Sequence, residues 1–309
     1  MSPSPAGVGI LLIVTLIWGT TFVATKALVG GAAAPLGPGA ATFWRFAIAT
    51  VCFMPLVVGR PVPRGIWLAG LNLSFWLWAG YATQAIGLKY TTVNRSAFVT
   101  SLNVVFVPIL TVMAGRKVGR LVWVMVGVAL AGAALLTYDG SQPNIGDLWT
   151  LGCAVTYATY IMRLERYANH FSTRALTMAQ LVGVAAFSLP WMIGEATFTG
   201  AGWGNWSPGV LVAILYMGVV ATLLTTWLQA IGQKSVPGVH ASLLYTTEPV
   251  FASAFAMAFF GESMGFNGWL GASLILTAAV ASQAFPMLAR RTNGSGASPS
   301  LDRTATESP

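Results

Sequence analysis

Long apolar runs separated by short polar breaks follow one another along nearly the whole chain. A helix needs about 20 apolar residues to cross a hydrocarbon layer roughly 30 Å thick. Ten such runs are legible, at 7–29, 38–58, 65–88, 92–114, 119–138, 146–166, 174–193, 208–233, 236–260 and 264–286. Lipid offers no partner to a free backbone N–H or C=O, so only helices or closed barrels span it, and these runs are too long and too evenly apolar for barrel strands of about ten residues. The pattern predicts an all-α integral membrane protein with ten transmembrane helices. From Arg290 to Pro309 it gives way to Ser, Thr, Gly and Pro, which reads as a disordered tail.

The runs are related in pairs. "QAIGLK" at Gln84 to Lys89 returns as "QAIGQK" at Gln229 to Lys234, in a chain with only six glutamines and four lysines. With one residue inserted in the second copy the match continues: Val93 meets Val239, Ser96 meets Ser242, Thr100 meets Thr246, Val104 meets Val250, Gly115 meets Gly261, Gly119 meets Gly265 and Trp123 meets Trp269. Each half then holds five spans, and because five is odd the second half enters the membrane upside down. The expected organisation is two inverted five-helix repeats, 1–140 and 141–289, with a tail at 290–309. Inverted repeats are a common architecture of secondary transporters, whose halves rock about a site near the bilayer midplane.

Composition agrees and sets the orientation. Hydrophobic residues make up 56% of the chain, charged residues 8%, and the mean hydropathy is +0.72, against roughly 25% charge in a soluble domain. The net charge of +8 follows topology. With the N-terminus cytoplasmic, that side holds Arg60, Arg64, Arg116, Lys117, Arg120, Arg163, Arg166, Arg174, Lys234, Arg290, Arg291 and Arg303, while the other side holds Lys89 and Arg95 among Asp139, Asp147, Glu195 and Glu262. This is the positive-inside bias, and it places both termini in the cytoplasm; no nucleic-acid partner is called for. The first run lacks a basic start and a small-residue cleavage site, so it is expected to stay as a helix. Cys52 and Cys153 give no disulfide or metal pattern.

Against this apolar background the candidate chemistry is sparse. Glu248 lies near the middle of the ninth span, where a carboxylate costs about 2.5–3.5 kcal/mol even on the lenient insertion scale. It is expected either to hold a substrate ammonium or carry a proton, or to pair permanently with Arg45 or Lys26. At the repeat offset its counterpart is Leu102, so the duplication is broken at this acid. Pro249 follows and frees the carbonyl of Tyr245. Arg45 either snorkels to the interface or meets substrate, and Lys26 is a candidate gate or ion-pair partner. Trp78 and Tyr81 precede Gln84 at helical spacing, as Thr222 and Thr225 precede Gln229. The two glutamines suit interhelical hydrogen bonds, worth about 0.6 kcal/mol each, or a cavity wall. Ser96, Thr100 and Asn103 share a face of the fourth span, and Tyr245 shares one with Glu248.

Trp18, Trp78, Tyr81, Asn103, Tyr245 and Glu248, with the two glutamines, would line an aromatic cavity suited to amphipathic small molecules. Trp67, Trp149, Trp203 and Trp206 fit interfacial belts instead. His240 is a possible proton relay or an interfacial polar residue. There is no phosphate-binding loop, HExxH or GxSxG sequence, so no enzyme, cofactor or metal is called for.

"WGTTFVATK" at Trp18 to Lys26, "FWRF" at Phe43 to Phe46, the hexapeptide pair and "EPVFASAFAMAFFGE" at Glu248 to Glu262 together resemble the EamA type of the drug/metabolite transporter superfamily. Within it the chain is most similar to bacterial amino-acid exporters of the YddG kind. Helix four departs from the pattern at Pro108 and at Arg116. The resemblance implies a multi-pass carrier of the bacterial inner membrane, monomer or homodimer. It would export neutral or aromatic amino acids and related metabolites by alternating access; the alternatives are export of cationic drugs or other metabolites, or a passive channel.

Overall fold

The computed structural model describes residues 3–30, 34–138, 142–199, 204–260 and 265–294. Asp139, Trp203, Glu262 and the chain beyond 294 lie outside the described residues. All regular structure in them is helical: α1 (Pro5–Gly19), α2 (Thr21–Val29), α3 (Pro38–Phe53), α4 (Ile66–Tyr90), α5 (Val93–Ser101), α6 (Asn103–Met113), α7 (Arg120–Thr137), α8 (Ile145–Ala168), α9 (Thr173–Thr199), α10 (Pro208–Gly218), α11 (Thr225–Gly232), α12 (Gly238–Tyr245), α13 (Glu248–Phe260) and α14 (Phe266–Gly294). A 3-10 turn, Met54–Leu56, extends α3, and a π-helical segment, Val219–Leu224, joins α10 to α11. The last helix continues through Gly294, so 290–294, expected to be disordered, is helical.

These pieces join end to end into ten stretches. Six are long and apolar enough to cross a bilayer: Pro5–Val29, Pro38–Leu56, Val93–Met113, Arg120–Thr137, Thr173–Phe198 and Pro208–Gly232. Of the others, α8 carries Asp147, Arg163, Glu165 and Arg166, and α4 is rich in tryptophan, hydroxyl and amide side chains.

Three stretches are interrupted where polar side chains compete for the backbone. Thr20 and Thr21 hydroxyls donate to the carbonyls of Ile17 and Trp18 at the α1–α2 junction. Asn103 Nδ2 donates to Thr100 O at the α5–α6 junction. Thr246 and Thr247 hydroxyls donate to Leu243 O and Leu244 O just before Pro249. The α5–α6 and α12–α13 breaks fall at matching positions of the sequence repeat.

Packing sorts the helices into two groups. In one, α8 lies against α4, α5 and α6; in the other, α1 lies against α11, α12 and α13. Two pairs, α3 with α9 and α7 with α14, run alongside and touch both groups. Small residues set the closest approaches. A Cβ built on Gly271 of α14 would stand 2.5 Å from Gly132 O of α7, and one on Gly19 would stand 2.9 Å from the Ala252 nitrogen of α13. Either contact forbids a larger residue without separating the helices.

Candidate functional site

A cavity lies between the two groups. One wall is Leu77, Tyr81 and Gln84 of α4, Thr100 of α5, Asn103 of α6, and Tyr157, Tyr160 and Ile161 of α8; the other is Trp18, Thr21, Gln229, Tyr245 and Glu248. Its free volume is about 30 Å³, room for one or two waters. Six of the thirteen lining residues flank helix breaks: Trp18 and Thr21 the α1–α2 junction, Thr100 and Asn103 the break at Leu102, and Tyr245 and Glu248 the paired threonines. Helix interruptions therefore deliver both side chains and loosened backbone to the bundle interior.

Five of the thirteen lining side chains are aromatic. The Trp18 and Tyr245 rings sit 5.3 Å apart, and Tyr81 meets Phe46 at 5.0 Å and Tyr157 at 5.7 Å, edge to face. Amides fix the hydroxyl ends. Tyr160 Oη donates to Gln180 Oε1 at 2.7 Å, with Gln229 Oε1 3.4 Å away, and Tyr245 Oη approaches Gln233 Oε1 at 3.4 Å. Two fully buried polar atoms on the lining are left over. Asn103, 7% exposed, has a buried Oδ1 with no hydrogen-bond partner, and Trp18 Nε1 is equally unpartnered.

Glu248 is uncompensated. The two ion pairs among the described residues are Arg95–Asp147 at 2.6 Å and Arg116–Glu165 at 2.9 Å, and neither involves Glu248. Both cations expected near it are engaged elsewhere. Lys26 Nζ donates to Leu88 O at 2.5 Å and Thr91 O at 2.9 Å, completing the C-terminus of α4, where a cation satisfies orphan carbonyls and the helix dipole. Arg45 is 5% exposed, inside the bundle instead of snorkelling to its edge. Its Nε donates to Thr222 Oγ1 at 2.8 Å, its Nη2 reaches Ala221 O at 3.4 Å, and its guanidinium lies 4.5 Å from the centre of the Tyr81 ring.

The arrangement around Arg45 depends on the π-helical segment. There Thr222 Oγ1 donates to Met217 O, five residues back, at 2.7 Å, leaving its lone pairs for the Arg45 N–H. Segments of this kind are frequent at functional sites.

Two expected residues stand away from the cavity. Trp78 packs on Phe75, Phe187 and Trp191, with ring centres 5.7–6.3 Å away; three residues on, Tyr81 is turned from it by only about 60°, yet Trp78 meets α9 and Tyr81 the cavity. His240 lies on the α14 side of α12, where its carbonyl accepts from Gln283 Nε2. Ser96 shares a helical face with Thr100 but is buried short of the lining. Conversely, Tyr157, Tyr160 and Thr21 line the cavity without having been singled out in the sequence. The signal was present: Trp18 and Tyr157, Thr21 and Tyr160, and Lys26 and Glu165 are each separated by the same 139 positions.

That last pair forms ties between the groups at opposite ends of the bundle. Lys26 joins α2 to the end of α4. Glu165 joins α8 to the start of α12, its Oε2 accepting from Gly238 N at 2.9 Å while Oε1 holds Arg116, whose pKa it raises. Gln233 Nε2 adds a bond to Ile161 O at 3.1 Å at the same end.

Comparison with known proteins places these features. The profile of the EamA-like transporter family matches twice, at residues 5–138 and 144–282. An uncharacterized transporter of Archaeoglobus fulgidus is 30% identical over 274 residues, 87% of this chain and 83% of its own. The uncharacterized transporter YwfM of Bacillus subtilis is 26% identical over 296 residues, 89% and 93% of the two chains. A protein known from a crystal structure shares the fold at a TM-score of 0.73 and 19% identity, covering 93% of this chain and 98% of its own. None of these names carries a substrate. The two family matches and the full-length relatives agree with the apolar helices: the chain is a multi-pass membrane protein and belongs to the EamA-like transporter family.

Proposed function

We propose that the chain is a secondary transporter that exports neutral or aromatic amino acids and related amphipathic metabolites across the bacterial inner membrane by alternating access. All ten helical stretches span the bilayer as two inverted five-helix repeats, 1–140 and 141–289, with both termini cytoplasmic and the residues after the last helix as a tail. The observation that carries this reading is an unpaired acid, Glu248, in an aromatic room at the seam between two packed groups. An ammonium is what such a site lacks: the carboxylate and the free Asn103 Oδ1 supply acceptors, and aromatic faces favour a cation.

The contact pattern supports the inverted arrangement. Exchanging each stretch of one half for its counterpart in the other turns one group into the other, and leaves the α3–α9 and α7–α14 pairs in place. The surplus of basic residues on the side assigned to the termini supports the orientation.

Purified protein in liposomes should accumulate labelled neutral or aromatic amino acids, saturably. Glu248→Gln should abolish uptake while eluting as a folded monodisperse species in detergent; unchanged uptake would remove Glu248 from the mechanism. A second reading has its own support, since an unpaired acid in an aromatic cage also suits organic cations. Growth protection against toxic cations, with no amino-acid uptake, would favour it.

A further inference from the structure

Arg45 is a buried charge without a counter-charge, and it faces the same wall as Glu248 from behind. It is 5% exposed and forms no ion pair among the described residues. Of its five N–H donors, one makes a good bond, to Thr222, and a second a long one, to Ala221. A guanidinium taken out of water is normally paired with an anion that accepts two parallel N–H bonds. Its position is fixed by the π-helical segment beneath it and the Tyr81 ring above it.

A second, smaller cavity lies against it, lined by Thr25, Thr42, Arg45, Tyr81, Gln84 and Met217. This cavity shares Tyr81 and Gln84 with the room that holds Glu248. One tyrosine and one glutamine thus stand between an unpaired guanidinium and an unpaired carboxyl group. Gln84 forms no side-chain hydrogen bond among the described residues, so its amide has both a donor and an acceptor to offer at the neck.

We propose that Arg45 is the carboxylate-binding pole of the transport site, so that substrates are zwitterions held between Arg45 and the Glu248–Asn103 pole, with Gln84 at the neck between them. This rests on the transport function proposed above and narrows its substrate class: a carboxylate becomes a requirement, and simple organic cations are excluded. The substrate neutralises both poles at once, which neither an amine nor an acid alone achieves. Because Tyr81 fills the space between the poles, its ring must shift when the substrate enters.

Three solutes of one shape separate the outcomes: phenylalanine, phenethylamine, which lacks the carboxylate, and 3-phenylpropionate, which lacks the amine. In liposomes the wild type should transport phenylalanine at least tenfold faster than either analogue, and phenylalanine alone should raise the melting temperature in detergent. Arg45→Gln should lose the preference for phenylalanine over phenethylamine, and Arg45→Lys should keep part of it. Equal uptake of phenethylamine and phenylalanine by the wild type would overturn the clamp while leaving the transport function standing. So would retained discrimination in a well-folded Arg45→Gln. If none of the three moves or binds, the transport assignment for amino acids falls and the clamp with it. The wild-type comparison needs no variant, so misfolding of Arg45→Gln leaves the proposal open to refutation.

Discussion

Single residues decide this site because the surroundings supply so few polar atoms. Glu248 was legible in the sequence: an acid deep in an apolar run stands out against any hydropathy scale, and its mismatch with Leu102 marks it further. Arg45 was half-legible: its distance from the end of its run leaves the interface and substrate contact both open, and although the spacing of Thr222, Thr225 and Gln229 points Thr222 inward, nothing in the local sequence pairs it with Arg45. Trp78 misleads for a related reason. A helical stripe gives a direction, but the helix packed on each face decides whether that direction meets a cavity or another aromatic cluster.

A residue-scale prediction concerns close approach. Gly271→Leu cannot be housed against Gly132 O and should destabilise the α7–α14 pair by about 1–3 kcal/mol, as overpacking does. The fall in detergent melting temperature checks it, with Gly127→Leu, whose Cβ meets open space, as the neutral control.

At the scale of elements, the ten stretches sit close to the ten apolar runs, since length and hydropathy carry that information. The interruptions inside them were less visible. Hydropathy averages over 18 or so residues, whereas the breaks at Thr20, Leu102 and Thr246 each rest on one or two hydroxyl or amide side chains bonding to backbone. The π-helical segment is subtler, because a run such as "VVATLL" at Val219 to Leu224 differs from an ordinary α-helix only in where its hydrogen bonds land. Thr222 is the residue through which that segment acts on Arg45. Thr222→Val keeps the shape and removes the acceptor, so it should raise the apparent KM for substrate roughly tenfold, the value of a hydrogen bond to a charged group of about 1.5 kcal/mol, with a smaller effect on maximal rate. Thr222→Ser should restore it. A fall in maximal rate with KM unchanged would make the threonine structural.

At the scale of the molecule, the two groups of helices are held together at one end by Lys26 on the carbonyls of Leu88 and Thr91, and at the other by Glu165 on the N–H of Gly238. A cation grips a helix C-terminus at the first, and an anion grips a helix N-terminus at the second, so each tie is favoured by the dipole it touches. With both in place the room between the groups is narrow, about 30 Å³. Lys26→Met should release one end and leave the other. Cys153, buried beside Thr100 with its sulfur 3.9 Å from the hydroxyl, is a built-in reporter. In a Cys52→Ala background, Lys26→Met should speed its reaction with a small membrane-permeant maleimide several-fold. No change in that rate would mean that Lys26 only caps α4. The sequence held this pairing too, in the shared spacing of Lys26 and Glu165, but its meaning needs the corners that each side chain reaches.

The smallness of the room has an electrical consequence. One or two waters are too few for the continuous file that a proton needs to hop across a bilayer. Liposomes carrying the protein without solute should therefore leak protons no faster than empty ones, which a trapped pH dye would read.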